Sequence, residues 1–190
     1  MTQTEQEGFG HAVFCAREWV DNEPFLLLLG DHIYTSDIDV SCAKQMINTY
    51  EQANTSVMGI TPMNADIIHK AGCIGGTWKS DQTEGILNIS QIYEKPTVEY
   101  AQENLHVAGM PENQFLGIFG MYILESEIFN LLGAEIKNNE RLKGEFQLTT
   151  CLDKLRETTG AIAYLVQGKY YDTGMPLFYR QTMIDYYANS

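Results

Sequence analysis

Long apolar runs, excess positive charge and clustered cysteines are all missing from this sequence. No apolar stretch approaches the about 20 residues needed to cross a bilayer as a helix. No basic-then-apolar leader precedes the first expected helix, so a soluble, cytoplasmic chain without a membrane partner is expected. Lys and Arg number 12 against 25 Asp and Glu, a net charge of -13. Such a surface excludes a nucleic-acid groove, which requires basic residues along the phosphate backbone. Any phosphate-rich ligand would instead need a metal ion or local lysines. The four cysteines, Cys15, Cys42, Cys73 and Cys151, lie far apart with no CxxC or Cys/His spacing. Buried free thiols are therefore expected, and neither structural zinc nor disulfides. Internal repeats and low-complexity linkers are also absent. What remains is a chain of 190 residues, 44% hydrophobic and 11% aromatic, the composition of one globular domain over residues 1–190.

The apolar stretch Phe25-Leu26-Leu27-Leu28-Leu29 stands out, opened by Pro24 and closed by Gly30. It reads as a strand buried on both faces, as in a parallel sheet covered by helices. Before it, polar residues 1–10 form a loop that leads into a helix from about His11 to Trp19, with Ala12, Cys15, Ala16 and Trp19 on one side. After it come a polar turn at Thr35–Asp39 and a helix from Ser41 to Asn54, striped by Ala43, Met46, Ile47 and Tyr50. Ser56–Ile60 is a short strand. Gly72–Trp78 and Gly85–Tyr93 read as hairpin arms joined by Lys79–Glu84, with Pro96 breaking the second. Phe115–Leu124 is an apolar strand and Ser126–Leu132 the start of a helix. Leu148–Arg156 is amphipathic, Ala161–Val166 a late strand, and Met175–Tyr187 a terminal helix. Alternating strands and helices with one hairpin indicate an α/β mixed sheet.

Several segments carry chemistry. Asp31 follows the first strand, where ligands of open α/β sheets bind, so its carboxylate suits a metal ion or else a turn. Gln6-Glu7-Gly8-Phe9-Gly10-His11-Ala12 puts glycines before a helix, which lets backbone amides approach a ligand; a flexible loop is the plainer reading. Glu94-Lys95-Pro96 pairs a carboxylate for hydroxyl groups with an ammonium for phosphate, or forms an exposed ion pair. In Gly144-Glu145-Phe146-Gln147-Leu148-Thr149, Glu145 and Thr149 suit helix capping. Tyr171-Asp172-Thr173-Gly174 supplies a second acid, a metal partner for Asp31 or a cap for the last helix.

Taken in order, these segments resemble the sugar-1-phosphate nucleotidyltransferases, and most closely the UTP–glucose-1-phosphate uridylyltransferase (UDP-glucose pyrophosphorylase) group. Gly8-Phe9-Gly10-His11-Ala12 is similar to its GxGHA uracil-recognition loop, and Leu28-Leu29-Gly30-Asp31 to its magnesium-bearing strand end. Ala71-Gly72-Cys73-Ile74 loosely matches its YGVV sugar turn, and Tyr93-Glu94-Lys95-Pro96 its VEKP segment. Gly144–Thr149 matches GEIQLT, and Tyr171–Gly174 the DxG element near the second metal contact. The resemblance implies a Rossmann-like mixed sheet with helices on both faces. It also implies nucleotide contacts from Gln6, Gly8, Gly10 and His11, with Gly10 and the helix start reading uracil through backbone amides. Sugar contacts would come from Gly72, Glu94, Glu145 and Gln147, phosphate binding from Lys95, and Mg2+ binding from Asp31 with Asp172. Asp31 and Lys95 are the implied catalytic residues.

The sequence also departs from this pattern. Ala71 replaces a tyrosine and Thr150 an aspartate. The family's GxGTR-type glycine-rich loop and its first strands are not in this sequence, which therefore reads as the C-terminal two thirds of such a domain. Exposed sheet edges then suggest a homo-oligomer. The implied activity is uridylyl transfer from UTP to glucose 1-phosphate, impaired in such a fragment. The alternatives are a non-catalytic sugar-phosphate-binding module and a sister enzyme using dTTP, CTP or ATP. The shared cation is decisive. If Asp31 and Asp172 point into separate regions, the assignment fails.

Overall fold

The computed structural model describes residues 2–79, 85–174 and 176–188. Its strands are β1 (Phe25–Leu28), β2 (His32–Ser36), β3 (Ser56–Asn64), β4 (Gly72–Trp78), β5 (Ile86–Glu94), β6 (Gln114–Leu124), β7 (Ala161–Leu165) and β8 (Gly168–Asp172). Its helices are α1 (Phe9–Phe14), α2 (Arg17–Val20), α3 (Cys42–Ala53), α4 (Val98–Asn104), α5 (Glu127–Asn138), α6 (Leu148–Thr158) and α7 (Pro176–Ala188), with a 3-10 turn at Ile68–Lys70. Six strands form one sheet in the order β1-β6-β3-β7-β5-β4, and β2 and β8 make a separate ribbon. The sheet is mixed: β3 and β7 run parallel, and its other pairings are antiparallel.

The long strand β6 shows why its sequence is apolar without a break. Met121 and Ile123 pack with Met46 of α3 on one face, while Tyr122 and Leu124 join Leu132 of α5 and Leu152 of α6 on the other. A strand covered on both faces loses the alternation of a half-exposed one. A third cluster, Met63, Ile68, Cys73, Ala101, Leu105 and Phe115, fills the space beneath α4. Helix α3 has the ends its sequence indicates. Ser41 Oγ accepts from Lys44 N, and Asn54 closes the helix in the left-handed conformation at φ 51°.

Three expectations are corrected here. The stretch at Phe25 is not a fully buried strand of a parallel sheet: Phe25, Leu26 and Leu27 are half-buried and Leu28 is exposed. It pairs antiparallel with β6 alone, and its other edge has no ladder partner among the described residues. The helix expected over His11–Trp19 is two short ones. Ala16 N bonds Val13 O in a tight turn between them, and Trp19 faces solvent instead of sharing a stripe with Ala12. The polar turn at Thr35–Asp39 is instead partly strand, because Tyr34, Thr35 and Ser36 pair with Tyr170, Lys169 and Gly168. The hairpin arms are as expected, but Ser80–Glu84 of their connection and Met175 of the terminal helix lie outside the described residues. All four cysteines are free; Cys42, Cys73 and Cys151 are buried and Cys15 half-buried. Burial pushes the Cys73 thiol up to about 12, as befits an inert core residue.

Candidate active site

The β2–β8 ribbon brings distant carboxylates together. Its antiparallel register sets His32 opposite Asp172, so Asp31, one residue before β2, lies beside Thr173. Thr173 donates to Asp31 O from both its amide and its hydroxyl, at 2.7 Å each. Gly174 N donates to Asp172 Oδ1 at 2.7 Å, an Asx-type turn in place of the helix cap considered from sequence. A Cβ built on Gly174 would sit 2.6 Å from Asp31 Oδ2 and 3.2 Å from Asp172 Oδ1. The two oxygens are thus no farther apart than those distances laid end to end, close enough for one cation to draw them together.

The donor set fits a hard cation. Both groups are carboxylates, and glycine leaves open the cradle that a side chain would fill. Among the described residues no three His, Cys, Asp or Glu side chains gather into a metal site. A cation here would therefore rest on two carboxylates, with substrate phosphates and water completing its shell, as Mg2+ prefers. His32, next to Asp31 in the chain and opposite Asp172 in the ribbon, stacks its ring on Tyr170 at 4.7 Å. Burial lowers its pKa, and the nearby charges of Asp31 and Asp172 pull it back up.

Next to this pair opens a cleft of about 720 Å³, lined by Gly72, Glu94, Lys95, Glu145, Gln147, Asp172 and others. Strand β5 ends at Glu94, and Lys95 follows with φ 51°, a left-handed backbone that β-strands do not continue. Its amide is held by Ala71 O at 3.1 Å. The Lys95 ammonium lies 3.7 Å from Glu94 Oε1, while Thr149 Oγ1 donates to Glu94 Oε2 at 2.6 Å. Glu94 is thereby fixed and its side chain only 11% exposed, unlike a loose surface ion pair. Gly72 belongs beside it, because a Cβ there would sit 2.8 Å from Ile118 Cδ1 and 3.3 Å from Glu94 Oε2. Gln147 Nε2 donates to Glu145 Oε2 at 3.2 Å. Thr149, expected as a helix cap, instead orients a carboxylate across the cleft. That contact spans 55 residues, and no local pattern announces it.

The N-terminal loop is packed rather than flexible. Gly10 N donates to Phe146 O, and Phe146 N to Glu7 O, at 2.9 Å each. A Cβ at Gly8 or Gly10 would fall 2.7 or 2.8 Å from Phe146 O, so both glycines are required by close backbone approach. The Gly10 amide is spent on that bond and so is not the free donor that the resemblance implied. His11 Nδ1 lies 3.0 Å from Gln3 Nε2, and its Nε2 lies 3.7 Å from Glu7. Of this loop Phe9 lines the cleft, whereas Gln6 is exposed. Thr150, which stands where the resembled pattern has aspartate, donates to buried Glu135 Oε2 at 3.1 Å, with Lys154 completing the cluster at 3.0 Å.

Comparison with known proteins matches residues 1–187 to the family described as nucleotidyl transferase. The UTP–glucose-1-phosphate uridylyltransferase of Staphylococcus haemolyticus is 34% identical over 184 residues, covering 97% of this chain and 57% of that protein. Among solved structures, a UDP-glucose pyrophosphorylase complexed with UDP-glucose superposes with a TM-score of 0.81 at 29% identity, covering all of this chain and 66% of that one. The UTP-bound enzyme from Acinetobacter baumannii gives 0.74 at 25% identity, covering 96% and 57%. The chain thus spans little more than half the length of the curated relatives it matches. No helix among the described residues is long and apolar enough to cross a membrane.

Proposed function

The chain belongs to the nucleotidyl transferase family, and from that premise we propose that it transfers the uridylyl group of UTP to glucose 1-phosphate, giving UDP-glucose and pyrophosphate. One observation carries the reading: Asp31 converges over Gly174 with Asp172, and Asp172 lines a cleft together with Glu94, Lys95, Glu145 and Gln147. In the proposed reaction a phosphate oxygen of the sugar attacks the α-phosphorus of UTP in line. A new P–O bond forms as the bond to pyrophosphate breaks, and that electron pair leaves with pyrophosphate. Catalysis then consists of positioning and charge compensation, with no covalent intermediate on the protein.

Lys95 binds the sugar phosphate and offsets the repulsion between two anionic reactants. Glu94, oriented by Thr149, accepts hydrogen bonds from glucose hydroxyls, and Gly72 leaves room for the ring. Glu145 and Gln147 complete the sugar side. The loop Gln6–His11 supplies the nucleotide side, with Phe9 as its cleft-facing residue. Asp31 and Asp172 would hold Mg2+, which when bound neutralises phosphate charge and aligns the two substrates.

The complete gene product incubated with UTP, glucose 1-phosphate and Mg2+ should form UDP-glucose and an equal amount of pyrophosphate. No product, together with no calorimetric signal for UTP, would overturn the reading. Binding of glucose 1-phosphate alone would point to a non-catalytic module, and faster turnover with dTTP, CTP or ATP to a sister specificity.

A further inference from the structure

Arg141 has no part in the roles above, yet it is fully engaged. Its guanidinium lies 4.0 Å over the ring centre of buried Phe146 and pairs with the Glu7 carboxylate. It also donates to Gly144 O at 3.3 Å and, through Nε, to Asn139 Oδ1 at 2.8 Å. Every guanidinium nitrogen and one face of the planar cation are in use, a geometry that a lysine does not reproduce. Around it Asn139, Lys143 and Gly144 all have left-handed backbone, with φ of 54°, 56° and 88°. Such a run persists where surrounding contacts over-determine it. The two segments that Arg141 joins both reach the cleft, through Phe9 on one side and Glu145 and Gln147 on the other. Backbone bonds between Glu7, Gly10 and Phe146 continue the same seam.

We propose that Arg141 is a positioning residue that clasps the nucleotide-side loop (Glu7–Gly10) to the sugar-side loop (Gly144–Gln147), so that a substrate ordering one loop prepares the other. The proposal rests on the functional reading given above. Its consequence is reciprocal: UTP tightens glucose 1-phosphate binding by the same factor as glucose 1-phosphate tightens UTP binding.

Calorimetry on the complete protein tests this, with UTP and Mg2+ as one probe and glucose 1-phosphate as the other. In the unsubstituted protein each ligand should tighten the other by about tenfold. Arg141→Gln should remove most of that coupling, and adding Glu7→Gln should remove little more. Arg141→Lys, which keeps the charge but loses the fork and the stacked face, should restore only part of it. Hydrogen exchange of the ligand-free protein gives an independent readout. Arg141→Gln should speed exchange at Gly10 and Phe146 together. Full coupling in Arg141→Gln, or exchange changes confined to 139–147, would overturn the clasp. If the unsubstituted protein binds both ligands without coupling, the clasp alone falls. If it binds neither, the functional reading falls and takes the coupling with it.

Discussion

Gly174→Ala separates the cation site from the fold more cleanly than removing either acid. Gly174 is exposed and its φ lies outside the left-handed range, so alanine strains no backbone. The loss of stability should not exceed that of one exposed hydrogen bond, about 0.5–1.5 kcal/mol. The added methyl, however, would sit 2.6 Å from Asp31 Oδ2, closer than real Cβ contacts occur, and 3.2 Å from Asp172 Oδ1. The Asp31 carboxylate must turn away, and Asp172 Oδ1 must give by a few tenths of an ångström against its 2.7 Å bond from Gly174 N. Disturbing the groups that orient metal ligands typically costs about 10- to 100-fold in metal affinity. The assay is Mn2+ binding followed by electron paramagnetic resonance with UTP present, with thermal melting in parallel. Gly30→Ala is the control, because nothing lies within 4 Å of a Cβ at that exposed position. Mn2+ affinity in Gly174→Ala equal to that of the control would refute the convergence.

Thr149→Val removes the 2.6 Å donor to Glu94, a bond to a charged group worth about 1.5–3 kcal/mol. The KM for glucose 1-phosphate should rise about tenfold or more while that for UTP holds, with Thr149→Ser restoring it; equal changes in both KM values would contradict the role. Gly10→Ala drives a methyl to 2.8 Å from Phe146 O and 3.0 Å from Leu132 Cδ2, so chemical denaturation should show a loss of about 1–3 kcal/mol. His32 is depressed below its ordinary 6.5, first by burial. An unfolded histidine therefore protonates before the folded one, so its contribution to stability is full above that value, declines as pH falls through the interval and levels off below the folded pKa. A proton NMR titration should find His32 below 6.5, and lower still in Asp172→Asn, which removes a charge that pulls it up; a value at or above 6.5 would contradict this.

Much of the architecture was legible because it is written locally. Ser41 and Asn54 bracket α3, Pro96 follows the end of β5, and the apolar run at Phe115–Leu124 identifies the strand covered on both faces. The β2–β8 ribbon was harder to read. Tyr34-Thr35-Ser36-Asp37 is polar and short, and its partner Gly168–Asp172 lies more than a hundred residues away, so nothing nearby marks the pairing. That ribbon is nevertheless what sets Asp31 beside Asp172. The glycines of Gly8-Phe9-Gly10 were recognisable as a motif, but not that Phe146 dictates them, since a close backbone approach across the fold leaves no periodicity. The exposure of Leu28 was equally hidden: composition tells that a strand is apolar, not which of its side chains is left uncovered.

The most direct measurement is a crystal structure of the complete protein with UTP and Mn2+, the ion located by anomalous scattering. One peak within bonding distance of oxygens from both Asp31 and Asp172, and of a UTP phosphate, is the expected result. An ion held by only one of these carboxylates, or bound elsewhere in the cleft, would contradict the shared cation site.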